Sequence, residues 1–139
     1  MKKLLIIPLL LLALLACKKT KFSPEGPTDV RIRNLSDLQF QQVVVSTSEN
    51  KGDTIAIGDI ASGSLSEYFR YTKAYPKAEI TAKINVGGTL VTFSTGAVDY
   101  TYMNYIGRDR ITYEVAVSDM NKRKLTINNV VLDEALVLK

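Results

Sequence analysis

The chain has no histidine and a single cysteine, Cys17. Without an imidazole there is no Ser-His-Asp or Cys-His nucleophile and no histidine-based metal site. Carboxylate chemistry stays open: 13 Asp and Glu lie from Asp29 onward, and two of them about 5 Å, or about 6.5–9.5 Å, apart would make a glycosidase pair. Their spacing singles out no such pair. Asp53 and Asp59 flank one segment, and Asp119 and Asn121 share a turn. Oxygen-rich loops of this kind can hold calcium, but neither follows the EF-hand pattern, and solvated turn carboxylates are the commoner use. The expectation is a chain with no catalytic residue, no metal and no cofactor.

Tyrosine is the unevenly distributed residue. Six of the seven fall in two groups, Tyr68, Tyr71 and Tyr75, then Tyr100, Tyr102 and Tyr105. A broad apolar ring carrying a hydroxyl suits stacking on sugars and protein interfaces. Aromatic residues also pack the cores and edges of β proteins. The binding reading gains if the two groups share one face, and these six tyrosines are its candidates for a protein or glycan partner.

What positions these residues begins at the N-terminus. Lys2 and Lys3 precede an apolar run, Leu4 to Leu15, too short for a membrane span of about 20 residues and suited to a signal-peptide core. The run ends in Leu14-Leu15-Ala16-Cys17, which resembles the lipobox of bacterial lipoproteins. That resemblance implies cleavage after Ala16 and diacylglycerol on the Cys17 sulfur. Lipidation also accounts for an otherwise unpaired cysteine in an exported chain, and two or more acyl chains suffice for stable membrane anchoring.

The division that follows is a cleaved leader at 1–16, a lipidated cysteine and tether at 17–28, and one domain at 29–139. Such a length holds a single core. The tether carries Pro24, Gly26 and Pro27, which break regular structure. From Asp29 onward 13 Lys and Arg balance 13 Asp and Glu. The net charge of +4 and pI of 9.2 therefore belong to the leader and tether, which removes the case for a nucleic-acid partner. Lys18, Lys19 and Lys21 lie beside the lipid, where each adds about 1 kcal/mol of attraction to anionic headgroups, or they merely solvate the tether. Position 18 is not the aspartate associated with inner-membrane retention, and the lysines differ from the acidic residues associated with surface display. The expected location is the outer membrane, on its periplasmic or its cell-surface side.

Beyond the tether the apolar period is two, the mark of half-buried strands. Val30 and Ile32 alternate with Arg31 and Arg33; Ala78 to Val86 alternates without error; Ile111, Tyr113, Val115 and Val117 alternate with polar residues. Gly87-Gly88 provides the positive φ angles of a two-residue hairpin. Phe40 and Val43 to Val45 break step, predicting either a bulge near Gln41-Gln42 or a strand covered on both faces. Leu65 to Tyr75 reads as an edge strand or a short helix, its aromatics favouring the strand. A short strand near Tyr100 is also expected. In Thr54 to Ile60, Ile55 and Ile57 are assigned to one face and Ala56 and Ile60 to the other. In Lys124 to Leu132, Leu125, Ile127, Asn129 and Val131 share one face and Val130 and Leu132 the other. Seven to eight short strands with frequent turns predict an all-β fold, an antiparallel β-sandwich of immunoglobulin-like or prealbumin-like architecture.

Val30-Arg31-Ile32-Arg33-Asn34 with Ser36, Phe40 with Val43 to Val45, Gly58 with Gly63, Ser66 and Tyr68, Ala74-Tyr75, Asp99-Tyr100 and Thr112-Tyr113-Glu114-Val115 together resemble a group of small Bacteroidota-type envelope lipoproteins of uncharacterised function. The resemblance implies a cell-envelope β-sandwich and brings no activity or site residues. Asp53-Thr54-Ile55 also resembles the O-glycan acceptor of envelope proteins of such bacteria, while Asn34-Leu35-Ser36 is an N-glycan sequon whose meaning lapses in a bacterium. The functional expectation is a lipid-anchored, non-enzymatic binding or structural module. The alternative is a small carboxylate-dependent glycan hydrolase.

Overall fold

A computed structural model describes residues 25–135, so Cys17 and the leader lie outside the described residues. The fold is all β. Its strands are β1 (Thr28–Asn34), β2 (Phe40–Ser46), β3 (Thr54–Ile60), β4 (Phe69–Tyr71), β5 (Glu79–Val86), β6 (Thr89–Ser94), β7 (Asp109–Asp119) and β8 (Lys124–Ala135). Thr28, assigned above to the tether, is already buried in β1.

The strands follow the order β3-β2-β5-β6-β8-β7-β1-β4. The two four-stranded halves meet at one bridge, Ser94 to Lys124. Apolar residues of both halves form a single core, with Val30, Ile32, Ile111, Tyr113 and Val115 from one and Phe40, Val43, Val45, Ile80, Ile84 and Phe93 from the other. This is the expected sandwich, but its pairing is mixed: β1 runs parallel to β7, and β6 meets β8 in parallel. Side-chain alternation has period two in either orientation, so sequence pattern does not distinguish them.

The break of step in β2 is a bulge. Gln42 has φ 48°, and register shifts fall on both sides of Val43 in its pairing with β3. Opposite it, Gly58 takes φ 88°, a conformation glycine reaches without a Cβ clash. An extra residue in each strand flips both phases, so Ile60 joins Ile55 and Ile57 on the core side, correcting the split expected for them. The Gln42 amide donates to Asp59 Oδ1 at 2.9 Å, which gives Asp59 a structural task.

The Gly87-Gly88 hairpin forms as expected, with Val86 opposite Thr89. The aromatic stretch gives the three-residue edge strand β4 rather than a helix. No strand forms near Tyr100; residues 95–108 are an irregular connection. That connection closes one end of the sandwich. The Ile106 amide donates to the Ala74 carbonyl at 2.8 Å, and Thr28 Oγ1 donates to the Gly107 carbonyl.

Candidate functional site

One tyrosine from each group, Tyr75 and Tyr100, meets the other at this closed end. Tyr75, following β4, stacks on Tyr100 of the 95–108 connection, with ring centroids 4.8 Å apart and planes inclined by 25°. Tyr75 is buried and its carbonyl accepts the Tyr113 hydroxyl. Tyr100 donates its hydroxyl to the Ser46 carbonyl at 3.2 Å, and burial pushes its phenol pKa up. One ring is thus anchored in the core and holds the other at the surface.

Around this stack lies a cleft of about 430 Å³ lined by Glu49, Tyr75, Val98, Asp99, Tyr100 and Thr101. Lys73 Nζ donates to Glu49 Oε1 at 2.6 Å and lies 5.5 Å from the Tyr75 ring centroid. The hydrogen bond from Lys73 lowers the Glu49 pKa and raises that of Lys73. Asp99 accepts from the Thr101 amide at 3.0 Å and from the Thr101 hydroxyl, and the hydroxyl bond is the main cause of its lowered pKa. Both cleft carboxylates are therefore hydrogen-bond acceptors at neutral pH, beside a partly exposed aromatic ring.

The other tyrosines have separate places. Tyr71 is 1% exposed and belongs to the core, whereas Tyr102 is 99% exposed. Tyr105 is half-buried in the same connection. Tyr68 lies on the outer face of the other half, where its hydroxyl donates to Asp133 Oδ2 at 2.8 Å. Arg31 and Arg110 stand 4.6 and 5.3 Å from its ring centroid. Burial, then the bond to Asp133, raises its pKa. Of the six candidates, then, Tyr71 packs the core, Tyr75 and Tyr100 share one cleft, Tyr68 stands on a charged sheet face, and Tyr102 and Tyr105 lie elsewhere along the 95–108 connection.

That face is crossed by rows of paired charges. Arg70 binds Asp29 at 2.8 Å, Asp29 lies 3.6 Å from Arg110, and Arg110 reaches Glu134 at 2.6 Å. In the next rows Arg31 faces Asp133 at 3.6 Å and Arg33 faces Glu114 at 3.4 Å. The polar residues that alternate through β1 and β7 are thus paired across the sheet.

Asp53, weighed above as a calcium ligand, is fully buried. Its carboxylate accepts the Ser48 hydroxyl at 2.6 Å, the Thr72 amide at 2.7 Å and the Thr72 hydroxyl at 2.8 Å. It ties the turn before β3 to the segment after β4. Asp119 caps its own turn by accepting the Lys122 amide. Among the described residues no group of three or more metal-ligating side chains is assembled. Asn34 is also buried, its amide nitrogen donating to the carbonyls of Leu38 and Ile60, so the sequon is a structural element. Glu49, Lys73 and Thr101 carried no sequence signal; they gain meaning only from the chain crossing that brings them to Tyr100. No protein-family model, curated protein or solved structure matches the chain.

Proposed function

We propose that the chain is a cell-envelope lipoprotein of the small Bacteroidota type, anchored to the outer membrane through lipid on Cys17, whose β-sandwich binds a partner without converting it. The observation that best supports a binding role is the Tyr75–Tyr100 stack beside two acceptor carboxylates. A ring face next to ionised acceptors suits a neutral glycan, whose C–H face stacks on the aromatic while its hydroxyls donate to carboxylate oxygens. A glycan is the partner favoured at this cleft.

The hydrolase alternative needs one carboxyl group kept protonated as general acid, its pKa raised. Glu49 and Asp99 are both shifted downward by their hydrogen bonds. That favours binding over turnover here. The test is titration of the protein with envelope oligosaccharides, followed by nuclear magnetic resonance or calorimetry. Binding should be lost in Tyr100→Ala and weakened in Asp99→Asn. Binding unaffected by either change, or release of reducing ends on incubation, would reject this reading.

A further inference from the structure

The chain enters the domain beside the cleft. A Cβ at Gly26 would come within 2.1 Å of the Thr72 carbonyl oxygen, so glycine is what permits this approach. Arg108 Nε donates to the Gly26 carbonyl at 3.3 Å, and Thr28 Oγ1 donates to the Gly107 carbonyl. Gly26 is thereby held against the two segments that supply the stacked rings, the one running from Thr72 to Tyr75 and the 95–108 connection. From Thr72 to Tyr75 is three residues, at most about 11 Å of chain. In the other direction nine residues lead from Gly26 back to Cys17, at most about 32 Å of chain. A lipid on Cys17 thus keeps the cleft close to the membrane that holds it.

The cleft also has an apolar neighbour. Val98 and Asp99 line both the cleft and a second groove of about 420 Å³. The lining of that groove includes Ala97, Met103, Leu125 and Ile127, with Lys77 and Lys124 as its cationic members. A place for sugar hydroxyls and a place for hydrocarbon are therefore continuous across two residues. A free oligosaccharide has no use for the second. A sugar carried on an acyl chain uses both.

We propose that the glycan held at Tyr75 and Tyr100 is the headgroup of a glycolipid of the anchoring membrane, with part of its acyl chain lying in the groove along Ala97 and Met103. This source of the sugar presupposes the glycan reading of the cleft. Acyl carbons seated in the groove cover apolar surface that otherwise faces water, a gain in proportion to the area removed. The tether adds a second gain. It confines the cleft near the membrane, so the headgroups meet it at an effective concentration on the order of millimolar, and a modest affinity keeps the site filled. A saccharide free in solution gains from neither feature.

The lipidated full chain, in detergent micelles in large excess over protein, is titrated with the glycolipid fraction of the envelope it is purified from. A second titration uses the saccharides released from that fraction by delipidation. The glycolipid should bind at least about tenfold more tightly. Ala97 is exposed, so Ala97→Glu should leave the melting temperature nearly unchanged. It should remove the glycolipid's advantage while saccharide binding persists, and Tyr100→Ala should remove binding of both. In vesicles of phosphatidylethanolamine and phosphatidylglycerol, residues 97–103 should gain amide-exchange protection when the glycolipid shares the protein's own vesicles and not when it is confined to separate ones. Equal affinity for the two ligands, an advantage that survives Ala97→Glu, or equal protection from separate vesicles would overturn the glycolipid source and leave the glycan reading standing. Binding of neither ligand would reject both.

Discussion

The ring of Tyr75 lies against the ring of Tyr100 with centroids 4.8 Å apart. One residue follows the edge strand β4 and the other belongs to the connection between β6 and β7. The contact joins the two connections, β4 to β5 and β6 to β7, that cross between the halves of the sandwich at its closed end. Tyr113 strengthens the join by donating its hydroxyl to the Tyr75 carbonyl. A surface ring held from the core in this way is pre-organised, which lowers the entropic cost of binding.

The two tyrosine groups should separate in a stability experiment. Tyr71→Ala empties a core position and should cost about 3–5 kcal/mol. Tyr102→Ala removes a ring that is 99% exposed and should change stability by less than about 0.5 kcal/mol. Urea unfolding of both variants checks this, and equal losses would contradict the placement of these residues.

Asp53 should behave as a structural residue. Asp53→Ala leaves the Ser48 hydroxyl and two Thr72 donors without their acceptor and should cost about 3 kcal/mol. Calcium should not raise the melting temperature of the wild-type protein. A calcium-dependent rise that disappears in the variant would instead make Asp53 a ligand.

Alkali should unfold the domain through its buried phenols. Burial raises the pKa of Tyr71 and, more strongly, that of Tyr113 above the ordinary tyrosine value. Folding therefore favours the protonated forms. Their contribution is fully present below about pH 10, the unfolded tyrosine pKa, and falls as pH rises from there toward the folded values, by about 1.4 kcal/mol per pH unit for each phenol. Denaturation midpoints against pH, read with tyrosinate absorbance, should show this decline. Tyr113→Phe should make it shallower, while costing about 1 kcal/mol at neutral pH for the lost hydrogen bond.

Cys17 should govern location and not folding. Cys17→Ala should give a protein that leaves the membrane fraction yet keeps the circular dichroism of the β domain. Retention on membranes after the leader has been removed would mean that lipid on Cys17 is not the anchor.

The strand pattern was largely legible because burial on one face leaves a period of two in the chain. β1, β5, β7 and the Gly87-Gly88 hairpin follow directly from it. The bulge at Gln42 shows in the sequence as a broken phase, but the compensating bulge at Gly58 does not, so plain alternation puts Ile60 on the face opposite to Ile55 and Ile57. In β8 the extra residue at Asn128 likewise moves Val130 and Leu132 onto the face of Leu125 and Ile127, and Asn129 and Val131 onto the other. A one-residue shift reverses every later side chain, and phase alone does not reveal a shift made inside a polar pair such as Asn128-Asn129.

The sequence by itself determined an all-β domain of balanced charge, one without histidine chemistry, because composition and alternation are local properties of the chain. Tertiary structure decided that Tyr75 and Tyr100 stack, that Asp53 is buried among hydroxyls, and that among the described residues β8 beyond Lys124 pairs along one side, with β7. Those facts depend on which strands become neighbours. The physical reason is that strand order and parallel pairing arise from contacts between residues far apart in the chain, to which a period of two is blind.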